Sequence, residues 1–168
     1  MTLIDSDPRA LTFESLGVPD FICRALSERG IDEPFAIQRV AIADILQGND
    51  VCGAAPTGSG KTLAFGIPLV AMTPRGSSRR PKALVLSPTR ELADPTATEM
   101  ATLSRRTSIT TVYGGVAYGK QVNSLKQGTD ILVACPGRLE DLMESGSVIL
   151  DDIERVVIDE ADRMADMG

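Results

Sequence analysis

The run Ala55-Pro56-Thr57-Gly58-Ser59-Gly60-Lys61-Thr62 has the composition of a loop that holds phosphate. An apolar stretch, Val51–Ala55, leads into it and a helical pattern, Gly60–Met72, leads out. Strand, loop, helix is the context such a loop requires. Gly58 and Gly60 let backbone N–H groups turn toward an anion with no Cβ in the way. The helix that starts near Lys61 adds the positive end of its dipole. Lys61 would reach the outer phosphates, and the Thr62 hydroxyl could ligate Mg²⁺. Pro56, Thr57 and Ser59 complete the loop. Ala55 stands at the first position, where the general motif has glycine.

A second pair of groups belongs with the first. In Val156-Val157-Ile158-Asp159-Glu160-Ala161-Asp162 an apolar strand delivers two adjacent acids at its C-terminal end. In phosphoryl-transfer sites one such acid holds Mg²⁺, mostly through water, and the next orients the attacking water. Asp159 fits the first role and Glu160 the second. Read alone, the same acids could be an acidic helix start favoured by the dipole.

These groups need a scaffold. Strand patterns occur at Val51–Ala55, Ala83–Ser87, Ser108–Tyr113, Asp130–Ala134 and Arg155–Asp159. Helical patterns occur at Pro19–Arg29, Ala36–Gln47, Gly60–Met72, Arg90–Arg105, Ala117–Lys126 and Gly137–Glu144. Several strands are continuously apolar, which predicts a sheet covered on both faces. Strand–helix alternation predicts right-handed βαβ units and a mostly parallel sheet flanked by helices. Function in such sheets gathers at the C-terminal ends of the strands. Pro95 predicts a kinked or restarted helix after Ala93. Met72–Pro81 reads as a mobile surface loop. Its arginines Arg75, Arg79 and Arg80 read as solvated charges rather than as a binding patch.

Composition narrows the chemistry. The chain has 168 residues, enough for one domain with a real core. It contains no histidine, which removes the Ser-His-Asp and Cys-His mechanisms and most catalytic zinc sites. Three scattered cysteines, Cys23, Cys52 and Cys135, form no metal or disulfide framework and fit a reducing cytoplasm. No run approaches 18 apolar residues, so no membrane span is expected. The net charge of −6 argues against nucleic acid only until it is localised. Residues 151–168 carry seven acids and two arginines, a net of −5, which leaves −1 for the other 150 residues.

With Asp-Glu-Ala-Asp at 159–162 and the phosphate loop at 55–62, the sequence resembles the N-terminal RecA-like domain of a DEAD-box ATP-dependent RNA helicase. The resemblance implies an α/β three-layer P-loop domain over residues 13–168, preceded by a tail at 1–12. It implies ATP or ADP with Mg²⁺ as cofactors. Gly30 to Gln38 matches the family's adenine-reading segment, so Ile31, Pro34 and Gln38 would contact the base; Phe13, 17 residues before Gly30, matches an isolated aromatic. Phe35 stands where the family usually has a small hydroxyl residue. Pro88-Thr89-Arg90, Gly114-Gly115 and Pro136-Gly137-Arg138 match motifs that grip the RNA sugar–phosphate backbone without reading sequence. Cys135 replaces a common threonine. Asp162 would bridge to the phosphate loop or to a second domain.

Family members continue past this point with a further strand and a second RecA-like domain, which supplies arginines to the ATP site. The expectation is therefore of weak adenine-nucleotide binding and little turnover by this chain alone. A non-catalytic nucleotide-binding or interaction module is the alternative. The oligomeric state is left open.

Overall fold

The computed structural model describes residues 11–166. Most of the expected N-terminal tail lies outside that range, as do Met167 and Gly168. The described sheet has four short strands: β1 (Ala83–Leu86), β2 (Ile109–Val112), β3 (Ile131–Ala134) and β4 (Arg155–Ile158). Their order is β2-β3-β1-β4 and every pairing is parallel. Seven helices accompany them: α1 (Asp20–Ser27), α2 (Ala36–Leu46), α3 (Lys61–Met72), α4 (Arg90–Ala101), α5 (Tyr118–Gln127), α6 (Pro136–Glu144) and α7 (Ala161–Asp166).

Alternation along the strands builds the layers, because successive side chains point to opposite faces. Ala83, Val85, Ile131 and Val133 face one core, which they share with Ile22, Ile42, Ile67 and Met100 of α1 to α4. Leu84, Leu132 and Ala134 face the other, with Leu125 of α5 and Leu139 and Leu142 of α6. Each such large aliphatic side chain contributes about 1.5–3 kcal/mol by leaving water. All four residues of β3 are buried, as expected of a central strand covered on both faces.

Three expectations are corrected. Val51–Ala55 is not a strand: among the described residues it has no ladder partner, and Val51 to Ala54 are exposed. An apolar run becomes a strand only where a neighbour supplies hydrogen bonds, and the described sheet stops at β4, which pairs only with β1. Pro95 does not break its helix. Helix α4 runs without interruption from Arg90 to Ala101. Pro95 is its sixth residue, exposed, and forfeits a single bond to the Glu91 carbonyl.

The segment after α3 is an anchored loop. Buried Asp130 accepts from the Gly76 amide at 2.8 Å and from Arg75 at 3.0 Å. Ser77 and Arg80 form a bridge, the Arg79 amide donates to the Leu125 carbonyl, and the Ile149 amide donates to the Arg79 carbonyl. Arg80 pairs with Asp152 at 3.1 Å. These contacts lie at the N-terminal ends of β1 and β3, since Lys82 and Ala83 also bond to Asp130.

Candidate nucleotide and RNA-binding edge

Parallel pairing in register places all four strand C-termini on one edge. Leu86 lies beside Ala134 and Ile158, and Val112 lies beside Ala134. The turns that follow inherit the strand order: Gly114-Gly115 after β2, Pro136–Arg138 after β3, Pro88–Arg90 after β1, and Asp159-Glu160 after β4. At 4.7–4.9 Å per strand, the three predicted RNA turns span about 10 Å. The acids come next, beside the phosphate loop.

Gly60 caps α3 in the left-handed conformation, with φ +86°. It must be glycine for a second reason: a Cβ there would lie 2.5 Å from Gln38 Nε2 and 2.8 Å from the Phe35 ring. Gln38 is 1% exposed. Its Nε2 donates to the Gly60 carbonyl at 3.0 Å and its Oε1 accepts the Phe35 amide at 2.8 Å. The amide predicted to read adenine thus ties the 34–35 turn to the phosphate loop. Phe13 and Ile31 sit elsewhere, lining a cleft of about 180 Å³ with Cys23 and Asp32. Phe13 is 3% exposed and packs into the core, while Phe35 is 59% exposed. Pro34 is buried and its carbonyl accepts from Arg39 at 2.8 Å.

Lys61 brings the two halves together. Its Nζ donates to the Ala55 carbonyl at 2.8 Å and lies 3.3 Å from Glu160 Oε1. Pro56, Thr57 and Gly58 are exposed; Lys61 and Thr62 are half-buried. The Ser59 hydroxyl is buried without a hydrogen-bond partner. Burial, then the neighbouring Glu160 charge, push the Asp159 carboxyl above its usual range, against the pull of Lys61. Glu160 has φ +51°, a strained conformation for a residue with a side chain. Asp162 is exposed, in the first turn of α7.

Thr62, Asp159 and Glu160 carry hard oxygen donors of the kind that fit Mg²⁺. Among the described residues no three His, Cys, Asp or Glu side chains cluster as a metal cage.

Among the turns expected to meet RNA, Pro88 is buried and Thr89 stands at the N-cap position of α4 without a side-chain capping bond. Arg90 is exposed, bonds Glu91 at 2.8 Å, and extends toward Gly115, whose Cβ position is 3.7 Å from its Nη1. Gly114 and Gly137 are exposed; Pro136 opens α6. Burial raises the Cys135 thiol, and Glu91 and Asp94 add to the shift. Two aromatics escaped the sequence reading. The Tyr113 hydroxyl donates to Asp94 at 2.6 Å, and the Tyr118 ring lies over Arg138. Their places beside Gly114-Gly115 were the available signal. Arg75 and Arg80, paired at the opposite strand ends, take no part in this edge.

The chain resembles known proteins in both sequence and fold. Residues 35–168 match the family model described as DEAD/DEAH box helicase. The ATP-dependent RNA helicase DeaD of Haemophilus influenzae is 44% identical over 94% of this chain, which spans 26% of that protein. A DEAD box protein from Methanococcus jannaschii superposes with TM-score 0.85 at 35% identity, over 94% of this chain and 43% of that one. The RNA helicase Prp28 from Chaetomium thermophilum, solved bound to ADP, gives 0.84 at 38% identity, over 92% and 39%. The chain thus spans about a quarter of the curated relative's length. Its fold is that of the RecA-like domains of these helicases, and it belongs to the DEAD/DEAH box helicase family.

Proposed function

We propose that this chain is the ATP-binding part of an RNA-dependent ATPase that remodels or locally unwinds RNA. The observation that carries it is the 3.3 Å pair between Lys61 of the phosphate loop and Glu160 at the end of β4. Loop and acids meet on the edge where three backbone-gripping turns stand in line. Lys61, backbone N–H groups of 57–60 and the start of α3 would hold the phosphates. Thr62, Asp159 and Glu160 would hold Mg²⁺, which when bound neutralises charge on the transferring phosphate. In the resting chain Glu160 is engaged by Lys61. Nucleotide phosphate would compete for that lysine and free Glu160 to accept a proton from water.

The reading extends to a second RecA-like domain as partner. It takes the nucleotide affinity and turnover of this chain alone to be low, because Val51–Ala55, which must support the phosphate loop, has no ladder partner among the described residues. A cytoplasmic setting is part of the proposal and rests on the three free cysteines.

The test is a thermal melt with Mg-ADP against Mg-GDP. A ligand at 100 times its Kd stabilises by about 2.7 kcal/mol. A rise with ADP that exceeds the rise with GDP is expected, and Lys61→Ala should abolish it. With nucleotide raised to millimolar levels, about a hundredfold above the Kd of even a weak site, no rise with either nucleotide would sink the reading. In a chain that includes the second domain, Glu160→Gln should keep nucleotide binding and lose turnover; normal turnover would remove Glu160 from its role.

A further inference from the structure

Arg138 is unusually placed for a residue expected to meet RNA. Its side chain is only 12% exposed. Its polar contacts are long: 3.4 Å from Nη1 to the Val116 carbonyl and 3.5 Å from Nε to Asp141. Strong charge-assisted bonds lie near 2.7–2.9 Å. Asp141 is itself 63% exposed, and Arg138 Nε is buried without a hydrogen bond. Hydrogen bonding therefore does not fix this guanidinium.

The contact that does is aromatic. The Tyr118 ring centroid lies 5.4 Å from Arg138 Cζ, inside the range in which a cation is drawn to a ring face. The ring is anchored in turn. Its hydroxyl is 2.5 Å from Ser145 Oγ, which also bonds Ser147 Oγ at 2.9 Å and the Leu142 carbonyl at 3.1 Å. Tyr118 opens α5, three residues past Gly115, and Ser145 closes α6. The side chain thus straps α5 to α6 with the guanidinium against it.

Stacking uses the face of a guanidinium, whereas its hydrogen bonds leave from the edge. A ring can hold Arg138 without consuming the donors that a phosphate needs. Since Nε is covered, the remaining exposure belongs to other atoms of the side chain. A partly desolvated cation also meets a phosphate at lower effective dielectric, which strengthens the attraction.

We propose that Tyr118 is a positioning residue for RNA binding. Its ring, pinned by Ser145, holds Arg138 at the C-terminal end of β3 in the orientation that meets an RNA phosphate. This rests on the proposed RNA function of the edge.

The test measures binding of poly(U) RNA to the chain across a range of salt, with thermal melts to confirm folding. Wild type should show salt-dependent binding. Arg138→Ala should weaken it and lower the slope by about 0.7, the value of one single-strand phosphate contact. Tyr118→Leu should reproduce the slope change with a loss of about threefold to tenfold, and adding it to Arg138→Ala should cost nothing more. Tyr118→Phe, which keeps the ring, should recover most of the slope. If wild type binds but Tyr118→Leu leaves the slope unchanged, or its loss adds fully to that of Arg138→Ala, the inference is overturned. If wild type shows no salt-dependent binding, the RNA reading itself fails. A lowered melting point with an unchanged slope would mark Tyr118 as structural only.

Discussion

Asp159 sets a tension between stability and use. Its carboxyl is shifted upward, first by burial and then by Glu160. A raised acid disfavours the charged fold. Below the unfolded range, near 3.9, both states are protonated and the group is neutral to stability. As pH climbs through the raised folded value, the fold loses stability from this group, and above it the loss is complete. Asp159→Asn should therefore raise the melting temperature of the nucleotide-free chain at neutral pH, and the gain should fade under acid conditions. The same substitution should abolish the Mg²⁺-dependent part of nucleotide binding. A neutral-pH melting point equal to wild type would refute the desolvation argument. Gly60 poses the opposite case. Gly60→Ala meets a positive φ and collides with Gln38 and Phe35 at once, so it should cost both stability and nucleotide binding, measurable in one ligand melt.

At the scale of elements, the anchor of the 73–81 segment is Asp130. It is 5% exposed and accepts from Gly76, Ser108 and Arg75 at 2.8 to 3.0 Å. Asp130→Ala leaves two backbone amides without an acceptor, at about 1–3 kcal/mol each. A chain of this size loses about 2–4 °C per kcal/mol, so the melting point should fall by at least about 4 °C. Poly(U) binding should hold, because this cluster lies at the far ends of β1 and β3. A melting point within a degree of wild type would show that the loop carries no stability. The sequence made the strands, helices and both halves of the nucleotide site legible, because continuous apolar runs and glycine-lysine spacing are local signals. It hid what depends on distant partners. Composition alone makes Met72–Pro81 look mobile, and only the fold brings Asp130 to it. Pro95 looks disruptive until its place near a helix start shows that one bond is at stake. Gln38 matched a motif, but its spacing gave no hint that both ends of its amide serve the chain. Tyr118 and Arg138 are twenty residues apart, and no periodicity announces their stacking.

For the whole molecule, the open question is the sheet edge at β4. Its outer side makes no pairing among the described strands, and Val156 and Ile158 are 56% and 55% exposed. Both lie in register with Leu84 and Leu86, on the α5–α6 side of the sheet, beyond the reach of those helices. An edge of unpaired N–H and C=O groups beside exposed β-branched side chains is a template for strand addition. The net charge of −6 opposes association, but near 0.15 M salt it is screened beyond about 8 Å. Five of those six net charges belong to residues 151–168, around β4 itself, so repulsion guards this edge at low salt and fades as salt is added. The chain should self-associate as concentration rises, and more so with added salt. A charge placed on the edge itself acts inside the screening length, so Ile158→Lys should return the chain to monomer in sedimentation velocity with the melting point little changed, since the side chain is already exposed. Association that persists in Ile158→Lys would move the contact away from β4, and a wild type that stays monomeric at high concentration would show that the edge is already covered.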